Sequence, residues 1–123
     1  MKIQILAALA ALLLVTGSAS SSVADKAPVT LINAFIVPAD REAEAILFWE
    51  RAAAFMKRQP GYVSTALHRA ILPDAKFKLI NIAKWESVDA FKRASMALRT
   101  TGGIKPVDGV VSAPSLYEVI RAD

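Results

Sequence analysis

Among its 123 residues the sequence contains no cysteine and a single histidine, His68. Without cysteine the chain can form no disulfide, thiolate nucleophile or lipoprotein anchor, and no metal site with cysteine ligands. One histidine is too few for a site built from several imidazoles. We therefore expect no metal site.

Long hydrophobic runs are nearly absent, and the longest lies at the N-terminus, where Lys2 precedes apolar residues 3–15 and small residues follow. This pattern predicts a secretory signal peptide at residues 1–24, cleaved after Ala24 or alternatively after Ala19. The run of roughly 13 residues is shorter than the ~20 that span a bilayer. We expect an exported protein, periplasmic or secreted, without membrane contact after cleavage, whose single domain is residues 25–123.

Neither positively nor negatively charged residues are in large excess. Removal of residues 1–24 leaves 14 Lys and Arg against 11 Asp and Glu, a net charge of +3. No block of like charges occurs, and no basic stripe carries interleaved aromatic residues, so we expect no nucleic-acid partner. An exported domain of about 100 residues without disulfides has a small core, which favours oligomerisation.

The hydrophobic pattern predicts six elements in residues 25–123. They are a strand at 29–37, a helix from an Asp40 N-cap to Pro60, paired strands at 62–72 and 76–85, a helix from a Ser87 cap to Leu98, and a strand at 116–120. Residues 100–111 hold three glycines and a proline and are predicted to be a loop. This order indicates the ferredoxin-like βαββαβ arrangement of α+β proteins. Because the first strand is apolar on both faces, we expect the sheet to pack against a second copy in a homodimer.

Asn81 and Trp85 are the most informative polar-edged side chains. They lie four residues apart in an otherwise apolar strand, so both project from one face of the sheet. A buried asparagine costs roughly 1 to 3 kcal/mol unless its amide is hydrogen-bonded. These two residues predict a pocket that holds a small aromatic ligand.

His68 joins this pair in one of two possible strand registers. If Leu72 lies opposite Phe77, then His68 lies opposite Asn81 and shares its face. A register shifted by one residue would separate them. We predict the first register, because it places Arg69, Lys78 and Lys84 together on the other face. In the first register His68 is a candidate base, because imidazole titrates near neutral pH; a structural histidine is the alternative.

Three motifs resemble the antibiotic biosynthesis monooxygenase (ABM) domain family. They are Pro60-Gly61-Tyr62, Leu67-His68-Arg69, and the segment 81–87 followed by Ala90-Phe91, within a match from about Val29 to Leu98. The resemblance implies a dimeric α+β barrel. It also implies cofactor-independent oxidation of a phenol, quinol or anthrone by O2, with no cofactor bound.

The same resemblance suggests roles for individual residues. Asn81, Trp85 and His68 match catalytic positions of the anthrone oxygenases, whereas Phe91 stands where those enzymes have a tyrosine. The haem-degrading branch has a histidine on the second helix, which this chain lacks, so haem degradation is disfavoured. We expect four residues to contact the substrate, although Trp49 also fits the core stripe of the first helix: Asn33, Trp49, Tyr62 and Phe91.

Two further functions are compatible with the sequence. One is a non-catalytic exported protein that binds a small aromatic molecule, which the missing tyrosine hydroxyl at Phe91 favours. The other is an assembly module whose pocket has closed, in which case no cavity would lie beside Trp85. The oxygenase hypothesis requires a small aromatic substrate and O2 as partners.

Overall fold

The structure, a computed structural model, describes residues 27–123. The predicted signal peptide and both of its cleavage sites lie outside the described residues. Among residues 27–123 no helix is both long enough and apolar enough to cross a membrane.

Four antiparallel strands and two helices make up the domain. The strands are ordered β2-β3-β1-β4 in the sheet, which confirms the predicted ferredoxin-like α+β fold. In chain order the elements are β1 (Val29–Ile36), a 3-10 turn (Ala39–Arg41), α1 (Glu42–Met56), β2 (Tyr62–Arg69), β3 (Leu79–Trp85), α2 (Val88–Thr101) and β4 (Val111–Tyr117).

The two helices begin differently. Ser87 caps α2 as predicted, since its hydroxyl oxygen accepts a hydrogen bond from the Ala90 amide at 3.0 Å. The predicted Asp40 cap of α1 is wrong: Asp40 lies inside the 3-10 turn, and α1 begins at Glu42 without a side-chain cap. Glu42 and Glu44 instead place negative charge in the first turn, where the helix dipole favours it.

The predicted register between β2 and β3 is wrong by one residue. His68 lies opposite Ile80, and Leu67 lies opposite Asn81. β2 ends earlier than predicted, at Arg69, and β3 begins later, at Leu79, so no tight turn fixes their pairing. The observed register packs Leu67 against the core and leaves His68 exposed. This register is favourable because it places the apolar side chain, and not the imidazole, on the buried face of the sheet.

The last strand also lies earlier than predicted, at Val111–Tyr117 instead of 116–120. It contains Pro114, which pairs with Asn33 of β1 at the edge of the sheet. An edge strand tolerates proline because one side of its backbone needs no partner. The predicted loop is correspondingly shorter, since α2 runs to Thr101.

The core lies between the helices and the face of the sheet that carries the odd-numbered residues of β1 and β3. Val29, Leu31 and Trp85 pack there against Ala90 and Ala94 of α2. The opposite face is only partly covered within the single subunit. Its apolar members include Ile32 and Ile82, which are directly paired.

Candidate active site

A cavity of about 240 Å³ lies between the inner face of the sheet and the two helices. Its walls are largely apolar, with Leu31, Phe35, Phe48 and Met56 among them. Its polar groups come from all four strands and from α2: Asn33, Tyr62, Thr65, Asn81, Trp85, Ser95, Arg99 and Ser112. A mostly apolar recess with a few convergent polar groups is typical of a small-molecule site.

Asn81 is the buried polar residue at the centre of the sheet, with 9% of its surface exposed. The Thr65 hydroxyl donates a hydrogen bond to its Oδ1 atom at 2.7 Å. This bond fixes the amide, and among the described residues the Nδ2 group has no hydrogen-bond acceptor. Asn81 therefore offers an oriented donor to a ligand in the cavity.

Asn33 lies beside Asn81 on the neighbouring strand, because the two residues are paired in the β1–β3 register. Its Oδ1 atom is buried and has no hydrogen-bond partner among the described residues. A buried polar atom without a partner costs roughly 1 to 3 kcal/mol, so a ligand or water that donates to it would be stabilised. The two asparagines give the cavity a donor and an acceptor next to one another.

Trp85 is the most deeply enclosed residue of the site, with 2% of its surface exposed. Tyr62 and Phe91 pack edge-on against its indole, with ring centroids 5.7 Å and 5.6 Å away. These contacts hold the ring in place. The Nε1 atom is buried and has no hydrogen-bond partner within residues 27–123, and Trp85 lines the cavity, so its N–H is the second candidate donor of the site.

His68 is the one predicted site residue that the structure does not bring to the cavity. It projects from the outer face of the sheet, and its Nδ1 atom lies 3.3 Å from the Ile80 carbonyl oxygen. The predicted shared face with Asn81 is therefore wrong. The register shift of one residue is the physical reason, since it exchanges the two faces of a strand.

The remaining predicted residues, Asn33, Trp49, Tyr62 and Phe91, all line the cavity together with Asn81 and Trp85. Trp49 and Phe35 also line an adjoining cavity of about 80 Å³. The loop after α2 covers that second cavity through Pro106, Val107 and Val110. A cavity beside Trp85 contradicts the closed-pocket alternative.

Thr65, Ser95, Arg99 and Ser112 also line the cavity but were not predicted. Thr65 faces the cavity because of the observed β2–β3 register, and the connection between the two strands gave no signal for that register. Ser95 could have been found from its helical spacing after Phe91, since residues four apart share a helix face. Arg99 lies one residue beyond the predicted end of α2.

The types of side chain that line the cavity limit its chemistry. Its lining contains no histidine, cysteine, aspartate or glutamate, and residues 27–123 hold no group of three His, Cys, Asp or Glu that could bind a metal. The usual histidine or thiolate axial ligand of haem iron is therefore missing from the cavity lining. The cavity can instead bind a flat apolar molecule and donate hydrogen bonds to its oxygen atoms.

Comparison with known proteins agrees with this description, although no protein-family model matches the chain. A segment of 73 residues is 41% identical to deoxynogalonate monooxygenase from Streptomyces nogalater. The match spans 57% of this chain and 57% of that enzyme.

Solved structures match over more of their length. A candidate monooxygenase from Shewanella loihica PV-4 is 47% identical, with a TM-score of 0.72 over 78% of this chain and 97% of its own. SnoaB, a cofactor-independent oxygenase from Streptomyces nogalater, is 31% identical, with a TM-score of 0.58 over 78% of this chain and 96% of its own. MhuD, a heme-degrader from Mycobacterium tuberculosis, is 25% identical, with a TM-score of 0.59 over 77% of this chain and 98% of its own. The chain thus belongs to the antibiotic biosynthesis monooxygenase domain family.

Proposed function

We propose that this protein is a cofactor-independent monooxygenase that uses O2 to oxidise an aromatic substrate of the phenol, quinol or anthrone type. The observation that carries the proposal is the pair of unpartnered donors, Asn81 Nδ2 and Trp85 Nε1, in an apolar cavity. The 31% identity to SnoaB over 96% of that oxygenase supports it.

The chemistry requires the site to stabilise a substrate anion. Phenolic groups lose a proton near pH 10, and fixed hydrogen-bond donors in a water-poor cavity favour the charged oxygen. The electron-rich anion then reduces O2 directly. For an anthrone, one oxygen atom becomes the new carbonyl oxygen, and the other leaves as water with the two hydrogens of the oxidised CH2 group.

Neither a carboxylate nor an imidazole lines the cavity to accept the substrate proton. We therefore infer that the proton passes to solvent, and that Asn81 and Trp85 act by lowering the energy of the anion. His68 has no part in this mechanism, because it lies on the opposite face of the sheet.

Oxygen uptake with anthrone and hydroquinone substrates tests the proposal. With an anthrone we expect O2 consumption by the wild type at near-neutral pH and a quinone product identified by its absorbance. With a hydroquinone, oxidation to the quinone passes two electrons and two protons to O2 and releases H2O2. His68→Ala should retain the wild-type rate and pH profile, because its side chain lies on the outer face of the sheet and does not line the cavity. Absence of O2 uptake with every substrate that binds contradicts the oxygenase proposal, and a large loss in His68→Ala contradicts the proposed proton path.

A non-catalytic binding protein is the second candidate. Phe91 packs on Trp85 at the position where the anthrone oxygenases resembled by this chain have a tyrosine, so the cavity lacks that hydroxyl. Quenching of the intrinsic fluorescence by an aromatic ligand without O2 uptake would favour this function. Haem degradation with a histidine-ligated iron is disfavoured, because the sole histidine is His68.

We also propose that the protein forms a homodimer through the outer face of the sheet. Ile32, Ile80 and Ile82 form an apolar centre on this face, and Val111 and Tyr117 at its edge are 57% and 51% exposed. A contiguous apolar face of this kind marks an interaction surface.

Export by residues 1–24 stays a prediction from the sequence.

A charge placed in that apolar face should dissociate the dimer. Ile82→Glu is expected to convert a dimer into a monomer in sedimentation equilibrium, because a carboxylate would be buried without a partner. Ile71→Glu is the matched control, since Ile71 is 95% exposed on the β2–β3 connection. A monomeric wild type, or equal effects of the two substitutions, contradicts this interface.

A further inference from the structure

The adjoining cavity of about 80 Å³ lies directly beside the main cavity of about 240 Å³. Four residues line both spaces and form the boundary between them: Phe35, Phe48, Trp49 and Ser112. Phe35 pairs with Leu79 two positions along the strands from the pair of Asn33 and Asn81, a distance of about 7 Å. Trp85 lies four positions from Asn81 in the other direction. The adjoining cavity is therefore at the end of the site opposite to Trp85.

The lining of the adjoining cavity is almost wholly apolar. Eight of the ten described residues that line it have side chains without a polar atom: Phe35, Ala45, Phe48, Leu67, Leu79, Pro106, Val107 and Val110. The other two, Trp49 and Ser112, offer an indole N–H and a hydroxyl. Because a buried water needs several polar partners, this cavity favours an apolar occupant over water.

The volume of the adjoining cavity limits the occupant to a molecule of a few atoms. An apolar cavity of about 150 Å³ engineered in another protein stays dry and binds benzene or xenon. The adjoining cavity has about half that volume, so an aromatic ring is too large for it, whereas a diatomic gas fits. Phe35 and Leu79 in its walls are 6% and 2% exposed, and the loop after α2 covers it.

We propose that the adjoining cavity is a binding site for O2 beside the aromatic substrate. This inference rests on the proposed function, because it gives the second reactant of that reaction a place in the fold. O2 has no N–H or O–H group and is apolar, so its transfer from water into apolar surroundings is favourable. The residues that line the adjoining cavity bind O2 and take no part in proton transfer.

The position of the adjoining cavity matches the geometry of the substrate anion. In an anthrone, the carbonyl oxygen and the CH2 carbon that is oxidised lie on opposite sides of the central ring. When Trp85 and Asn81 donate to the oxygen, the reacting carbon is directed away from Trp85, toward Phe35 and the adjoining cavity. O2 held there approaches this carbon without displacing the substrate oxygen from its donors.

Xenon is the probe for this site, because it is an inert apolar atom that binds in small apolar cavities. Methyl NMR under xenon pressure distinguishes the two spaces: Leu79 and Val110 line the adjoining cavity, and Leu31 and Met56 line the main one. We expect saturable shifts at Leu79 and Val110 in the wild type. Ala45→Leu should abolish them, since Ala45 is 5% exposed and lines only the adjoining cavity of the two.

The dependence of turnover on O2 concentration tests whether this gas site serves the reaction. We expect Ala45→Leu to raise the KM for O2 by about threefold to tenfold, without a matching rise in the KM for the aromatic substrate. The effect is limited because a ligand of two atoms has little binding free energy to lose. Val107→Phe fills the same cavity from the loop and should have the same effect, and thermal unfolding checks that both variants are folded.

Ala54→Leu is the matched control, since Ala54 is an exposed residue of α1 that lines neither cavity. It should leave xenon binding and the KM for O2 unchanged. Absence of xenon shifts at Leu79 and Val110, or an unchanged KM for O2 in both folded filling variants, overturns the O2 site and leaves the oxygenase proposal intact. Absence of O2 uptake by the wild type with every substrate that binds contradicts the oxygenase proposal, and this inference with it.

Discussion

Replacing Asn81 with alanine is expected to lower kcat for oxygen uptake by about 100-fold to 1,000-fold, the range measured when one oxyanion donor is removed from an enzyme. The amide is fixed by the 2.7 Å hydrogen bond from Thr65 and is 9% exposed. A donor that is already oriented needs no reorganisation when charge develops on the substrate oxygen. Its loss should therefore affect kcat more strongly than KM.

Thr65→Val tests whether the Asn81 amide must be held in place by the Thr65 hydroxyl. This variant keeps the Asn81 amide but removes the hydroxyl that fixes it, so we expect a smaller loss of kcat than in Asn81→Ala. Thermal unfolding of both variants controls for folding, because each change removes one hydrogen bond worth about 1 kcal/mol. A folded Asn81→Ala variant with wild-type turnover would show that this amide does not stabilise the anion.

The sequence was sufficient for features that depend on local pattern. Ser87 precedes an amphipathic stretch, and the capping hydrogen bond forms where it was predicted. Asn81 and Trp85 share a face in any register, because they lie four residues apart on one strand. Both residues line the cavity, on the shared face that this spacing predicts.

Features that depend on pairing between distant segments were not predictable in the same way. The face of His68 depends on one residue of register, and the irregularity between Tyr62 and Ser64 allows Tyr62 to pair with Trp85. No local sequence signal predicts either the register or the irregularity. A bulge inserts one residue, and the alternating pattern continues on each side of it. The contact between Asn33 and Asn81 likewise requires the pairing of β1 with β3.

Trp85 stabilises the fold and also donates from its indole, and two substitutions separate these roles. Trp85→Ala is expected to lower the free energy of unfolding by about 3 to 5 kcal/mol, since it empties a site that is 2% exposed at the centre of the core. Small domains have total stabilities of about 5 to 15 kcal/mol, so this loss removes a large share. Denaturant unfolding followed by circular dichroism measures it without relying on tryptophan fluorescence.

Trp85→Phe keeps an aromatic ring between Tyr62 and Phe91, so most of the edge-on packing survives. We expect this variant to remain folded but to lose at least about tenfold in kcat, because phenylalanine has no N–H to donate to the anion. If Trp85→Phe instead retained wild-type oxygen uptake, the unpartnered Nε1 atom would have no catalytic role. Stabilisation of the anion would then depend on Asn81 alone, and Trp85 would serve only to support the wall of the cavity.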